Sequence, residues 1–273
     1  MHPVQIADRM PPFNKDMHIA DVSLKLSEAL EVAFIQGNKI SKSALGKMLV
    51  GLLNLNGDGF LATKTRLLLI AKHLQEVKNF DKAVWKKLRG KIFNDVDIKH
   101  FYGTRFELSI AASLARRNVC FIFNQKDLPD FVLNNDNAGL RIECGSCFLT
   151  TAKDKSSYKI ESLLFEKNKK QYANTATTLF IDRTNLWSQS KNVLEFGGEE
   201  FYSRMQELIL KSAYGNVTIF DTYYDIKSQS IHSNYTRFDS ERISIELKDF
   251  LDAHFPKGDA EVNLDDILVY MCN

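Results

Sequence analysis

The texture of the chain changes once, near residue 101, and that change constrains the fold more than any motif. Residues 20–100 read as one helix after another. "DVSLKLSEALEVAFIQG" has a cap candidate in Asp21, apolar residues at Leu26, Leu30 and Phe34, and a stop at Gly37. "SKSALGKMLVGLLN", "TKTRLLLIAKHLQEV" and, after Asp81, "DKAVWKKLRGKIF" continue the helical spacing without a strand signal. Beyond residue 101 the predicted helix "GTRFELSIAASLARR" leads into the strand-like runs "VCFIF", "DFVL" and "LRIECGS". A helical stretch, "SYKIESLLFEKNKKQYA", then precedes the strand "TTLFID". The helix "EEFYSRMQELILKSA", the strand "NVTIFDTYY" and the helix "SERISIELKDFLDAHF" complete the pattern. Strands interleaved with helices predict an α/β or α+β domain. The expected organisation is an all-helical N-terminal region, residues 1–100, joined to an α/β domain, residues 101–273.

Charge divides at the same place. The net charge is +2, but residues 1–100 hold 16 basic and 10 acidic residues, a balance of +6. The remaining 20 and 24 leave −4. A basic first part is compatible with nucleic-acid contact. Its densest stretch is "KAVWKKLRGK", with Lys82, Lys86, Lys87, Arg89 and Lys91 around Trp85. Such a cluster suits phosphate contact; the alternative is a solvated face with Trp85 and Leu88 turned inward. No apolar run is long enough to span a bilayer, and the start lacks the pattern of a secretory signal, so a cytoplasmic location is expected. Four cysteines (120, 144, 147 and 272) in 273 residues do not make a disulfide framework.

The chemistry concentrates in "LPDFVLNNDNAGLRIECGSC", residues 128–147. If "DFVL" and "LRIE" pair antiparallel around 134–139, Leu133 meets Leu140 and Asp130 meets Glu143. Alternation then sends Phe131, Leu133, Leu140 and Ile142 to one face and Asp130, Val132, Arg141 and Glu143 to the other. Opposed carboxylates repel, and a divalent cation relieves the repulsion. The plainer alternative is an exposed strand end screened by Arg141. Glu107 shares a helical stripe with Ile110, Ala111 and Leu114 and needs a partner if it is drawn toward a core; pairing with Arg105 or another base is the structural alternative.

Pro129–Asp130, thirteen residues before Glu143 and preceded by Glu107 on a helix, resembles the PD-(D/E)XK nuclease superfamily over residues 102–182. The resemblance implies a restriction-endonuclease-like core, a mixed sheet flanked by helices. It also implies Mg²⁺- (or Mn²⁺-) dependent phosphodiester hydrolysis, with DNA the expected substrate. Asp130 and Glu143 would be metal ligands, and Glu107 an auxiliary ligand or organiser. The chain departs from the pattern where the family's lysine is expected, at Gly145. Lys167, on the inward stripe of the next predicted helix with Ile160, Leu163 and Leu164, is the expected replacement, with Gln171 as an accessory. Lys153, Lys155 and Lys159 are weaker substitutes. A homodimer is possible, as for proteins that cut both strands. The alternative function is a catalytically inactive protein of the same fold that binds nucleic acid or a protein partner, which the glycine at 145 favours.

Two further motifs read as structural. "CGSC" at 144–147 begins within a strand pattern rather than at a helix start, which argues against a redox pair. "NLNGDGFLATKT", residues 54–65, matches the early positions of a Ca²⁺ loop but ends in Thr65 where a bidentate glutamate is needed.

Overall fold

The computed structural model describes residues 5–10, 18–33, 39–124, 128–133, 139–148, 156–189, 199–225 and 228–258. The chain divides into two compact units. One comprises residues 1–9, 120–223 and 232–269, and the other residues 10–119, 224–231 and 270–273.

The second unit is helical. It contains α1 (Ile19–Leu30), α2 (Lys39–Lys42), α3 (Ala44–Gly51), α4 (Gly57–Phe80), α5 (Lys82–Asn94) and α6 (Ile98–Arg116). Helix α4 is its axis, burying Leu67, Leu68, Ile70, Leu74 and Val77. Helix α1 starts earlier than its sequence suggests. His18 is the cap, and Asp21, three residues on, accepts a hydrogen bond from the His18 amide at 2.8 Å. It also stops earlier, at Leu30, where its last carbonyls lack helical partners. Helix α5 supplies them: Trp85 Nε1 donates to Ala29 O at 3.0 Å and Arg89 Nε to Leu30 O at 2.6 Å. The start of α4 at Gly57 puts Asp58 and Gly59 in a helical first turn, so the apparent Ca²⁺ loop does not form.

The other unit is built on a mixed sheet. Its strands are β1 (Gln5–Met10), β2 (Phe121–Phe123), β3 (Phe131–Leu133), β4 (Arg141–Ser146), β5 (Thr177–Asp182), β6 (Asn216–Asp225) and β7 (Ser230–Asp239), in the order β1-β7-β6-β5-β4-β3-β2. Strands β2, β3 and β4 pair antiparallel, and β4, β5 and β6 run parallel. Strand β5 is buried along its whole length, as expected of a central parallel strand. Helices α7 (Ser156–Lys167), α8 (Thr184–Gln189), α9 (Glu199–Leu210) and α10 (Ile245–His254) complete the unit. The rings of Phe180, Phe220 and Phe255 cluster in its core, Phe180 lying 5.0 Å from Phe220 and 5.1 Å from Phe255.

The α/β expectation and the helical N-terminal region hold, with one correction. Residues 1–100 are not all-helical, because Gln5–Met10 forms β1 at the edge of the sheet. Six residues without clear apolar alternation gave no strand signal. The compact units divide at 119/120, so α6 groups with the helices before it rather than with the strands that follow. Among the described residues no helix is long and apolar enough to cross a membrane.

Gly215, just before β6, is required by close approach. Its amide donates to Asn174 O and Thr177 O, both at 3.1 Å. A Cβ there would collide with the backbone carbonyl of Thr175, which cannot rotate away as a side chain would. Gly215→Ala is therefore expected to destabilise by about 1–3 kcal/mol, measured as a lower urea midpoint with an unchanged slope.

Candidate active site

Strands β3 and β4 adopt the register expected from their sequence. Phe131 pairs with Ile142 and Val132 with Arg141, and the Leu133 amide donates to Leu140 O at 2.9 Å. Continuing that register sets Asp130 opposite Glu143. Phe131, Leu133, Leu140 and Ile142 are buried on one face; Val132 and Arg141, on the other, are half-buried. The turn residues 134–138 lie outside the described residues.

Asp130 is fixed through its main chain and its side chain. Asn124 N donates to Asp130 O at 2.9 Å and Asn124 Nδ2 to Pro129 O at 3.0 Å. The carboxylate accepts the Cys144 amide at Oδ2, 2.7 Å away. Glu143 is deeply buried, only 3% exposed. Its Oε1 is ion-paired with the Lys167 ammonium, while its Oε2 is buried with no hydrogen-bond partner. Burying a carboxylate is costly without compensation, and here the compensation falls on one oxygen only.

Lys167 is the last residue of α7, and it also donates to Cys144 O at 3.1 Å. Burial by itself would push its pKa down. The charge of Glu143 and the hydrogen bond to it, with Asp130 behind them, outweigh burial and hold the pKa above its ordinary value. The group is thus an ammonium at neutral pH.

Gly145 lies under Leu163 of α7. A Cβ at 145 would lie 2.7 Å from Leu163 Cδ2 and 3.3 Å from Leu163 Cγ. The leucine occupies the space where a side chain on β4 would begin. Leu163 and Lys167 are four residues apart and share one helical face, so the helix that closes off position 145 also delivers a cation to Glu143.

Sequence reasoning missed two tyrosines. The Tyr172 phenol lies beside Glu143; burial first, and then the Glu143 charge and a hydrogen bond to Glu143, push its pKa up. Tyr214 is buried, and burial, Glu143 and Asp130 likewise push its phenol up. Both remain protonated donors at neutral pH. Only a register of strand and helix ends could have brought them here, since neither follows a spacing rule.

Other expectations fared differently. Gln171 is not on the inward face: α7 stops at Lys167, and Gln171 is exposed in the turn beyond it. After Asn168 N bonds Leu164 O, the amides of Lys169 and Lys170 turn to the carbonyls three residues back, so the helical period is broken before residue 171. Glu107, on α6, is ion-paired with Lys91 of α5 within the helical unit. That is the structural alternative of pairing with a base, here Lys91. Of the basic cluster, Arg89 caps α1 and stacks over Trp85, and Lys91 holds Glu107. Lys82, Lys86 and Lys87 lie on the exposed side of α5. Lys153 and Lys155 lie outside the described residues, as does Cys272. Cys144 and Cys147 are both buried, and burial pushes the Cys147 thiol well up, away from reactive thiolate.

Among the described residues no three His, Cys, Asp or Glu side chains gather as metal ligands. Asp130 and Glu143 are two carboxylates at one place, which suits an ion that keeps most of its waters. Comparison with protein-family models, curated proteins and solved structures finds no match for this chain.

The ion pair makes a stability prediction with a definite sign. Because the folded pKa of Lys167 is raised above the ordinary 10.5, the contribution is fully present below that value. It is lost as pH rises through the folded pKa. Lys167→Met leaves Glu143 buried and unpaired, and is expected to cost about 3–5 kcal/mol at pH 7. Lys167→Met combined with Glu143→Gln is expected to recover much of that loss. Denaturant midpoints measured from pH 7 to 11 check both: the wild type weakens more steeply at the alkaline end than the double variant, in which Tyr172 and Tyr214 still titrate.

Proposed function

We propose that the protein is a Mg²⁺- (or Mn²⁺-) dependent nuclease of the PD-(D/E)XK type, acting on DNA, with its lysine moved from β4 to α7. The observation that carries this reading is the pairing of Lys167 with Glu143 within the electrostatic reach of Asp130, beside a glycine whose space Leu163 fills. The succession α6, β2, β3, β4, α7, β5 supports it, since the resemblance implies a helix, an acid-bearing hairpin, a helix and a strand in that order. The unpaired Glu143 Oε2 supports it too, because a buried oxygen without a donor is a natural ligand for a cation.

Asp130 and Glu143 would hold the metal, which when bound supplies Lewis acidity and lowers the pKa of water. The chain's own residues do the rest. The Cys144 amide fixes the Asp130 carboxylate in one orientation. Lys167, held as an ammonium, cannot serve as a general base; it places positive charge where the phosphate gains negative charge. Tyr172, protonated and beside Glu143, adds a neutral donor to the same wall. Lys82, Lys86 and Lys87 are candidate phosphate contacts on the helical unit.

The second reading is a non-catalytic member of the fold that binds nucleic acid or a protein. It is favoured by Gly145, where the family's lysine is expected, and by the pairing of Lys167 with Glu143.

Incubation of linear and circular DNA with purified protein, in Mg²⁺ or EDTA, separates the two. Cleavage is expected in Mg²⁺ only, with a loss of about a hundredfold or more in Asp130→Ala, Glu143→Ala and Lys167→Ala. Returning the lysine to β4, as Gly145→Lys with Leu163→Ala in the Lys167→Ala background, is expected to restore part of the activity. A gel shift without cleavage, unchanged by Lys167→Ala, sinks the nuclease reading.

A further inference from the structure

Lys167 is the final residue of α7, and the ends of helices fray unless their carbonyls find donors. Here Leu164 O, Glu166 O and Lys167 O accept the amides of Asn168, Lys169 and Lys170 at 2.9, 3.2 and 3.0 Å, and the segment between α9 and β6 adds side-chain and main-chain bonds to this turn. The Tyr214 hydroxyl donates to Lys167 O at 3.1 Å. The next residue, Asn168, accepts at Oδ1 from Ser212 Oγ at 3.1 Å and from the Ala213 amide at 3.0 Å. Ser212 Oγ also accepts the Tyr214 amide at 3.1 Å, and Arg242 Nη2 donates to Ser212 O at 2.8 Å. Ser212 and Tyr214 are 0% and 1% exposed, so these bonds are made where water does not compete.

We infer that Ser212–Tyr214 is a positioning brace for Lys167, holding the end of α7 so that the ammonium reaches Glu143 and Cys144 O together. The geometry argues for this over simple packing. A lysine stem has four rotatable carbons, and a mobile helix end would let the ammonium leave the pair for water. With the main chain pinned at Lys167 O and Asn168, only the stem can move, and its head is already bound at two oxygens. Tyr214 and Asn168 are therefore positioning residues, acting through Lys167 and touching no reacting atom. Their role in catalysis rests on the nuclease reading; their role in placing Lys167 does not.

The test uses the full chain and reads Lys167 directly. Wild type, Tyr214→Phe, Asn168→Leu and Asn168→Asp are treated briefly with acetic anhydride at fixed pH, and Lys167 acetylation is followed by peptide mass spectrometry. Glu143→Gln serves as the unpaired control, and far-UV circular dichroism confirms folding. Loss of one brace bond is expected to raise Lys167 acetylation about three- to tenfold in Tyr214→Phe and Asn168→Leu. Acetylation of Lys82 and Lys86 should stay unchanged. Asn168→Asp keeps both accepted bonds and is expected to stay near wild type, which general loosening would not produce. Where DNA is cleaved, Tyr214→Phe should lower kcat by a similar factor with KM unchanged. Folded Tyr214→Phe and Asn168→Leu proteins that protect Lys167 as the wild type does would overturn the brace. If wild type never cleaves DNA, the nuclease reading falls, and the acetylation pattern still decides the brace.

Discussion

The close approach of α7 to β4 at Gly145 is the constraint on which the site depends. A helix normally stands off a sheet by the thickness of two side chains. Where the strand carries no side chain, Leu163 settles onto the backbone, and the residue one turn later is brought within reach of the neighbouring strand position. That residue is a lysine, and the position it reaches is a buried glutamate. The missing Cβ at 145 leaves room for Leu163, and Lys167 on the same helical face pairs with Glu143.

The electrostatics follow from that geometry. Glu143 could not remain in a nearly dry position without a cation, and Lys167 could not remain there without an acid. Each offsets the other's cost of leaving water, incompletely, because one glutamate oxygen is left unbonded. Asp130, half-buried, takes the Cys144 main-chain N–H as well as the attraction of Lys167. Two acids on adjoining strands thus draw on one lysine, and this leaves a negative, half-shielded spot at the mouth of the hairpin.

Much of this was legible in the sequence. The 130–143 hairpin could be registered by pairing Leu133 with Leu140, because a one-residue slip would have sent Phe131 and Ile142 to the wrong face. Lys167 could be placed by its spacing from Leu163 and Leu164. Where periodicity was weak, reading failed. Strand β7 was missed because Ser230, Asn234, Thr236 and Arg237 are polar yet buried, and a partner such as Asp252 for Arg237 comes from a later helix. Gln171 was placed on a helix that ends four residues earlier, because the amides after Asn168 turn to carbonyls three residues back with no glycine or proline to mark the stop. Tyr172 and Tyr214 were invisible for the same reason. Glu107 was read correctly as needing a base, though spacing could not say which one.

The tip of the β6 and β7 strands has a consequence for the chain's architecture. Residues 224–231 belong to the helical unit, where Tyr224 and Ile231 join Ala62 and Leu69 in one apolar cluster. The polypeptide therefore leaves the sheet unit and returns to it in mid-strand. A fragment beginning at residue 120 would carry two long strands whose far ends have lost their oily neighbours. Tyr224 and Ile231 are thus part of the helical unit's own apolar packing, and a cut at residue 120 strips them of it.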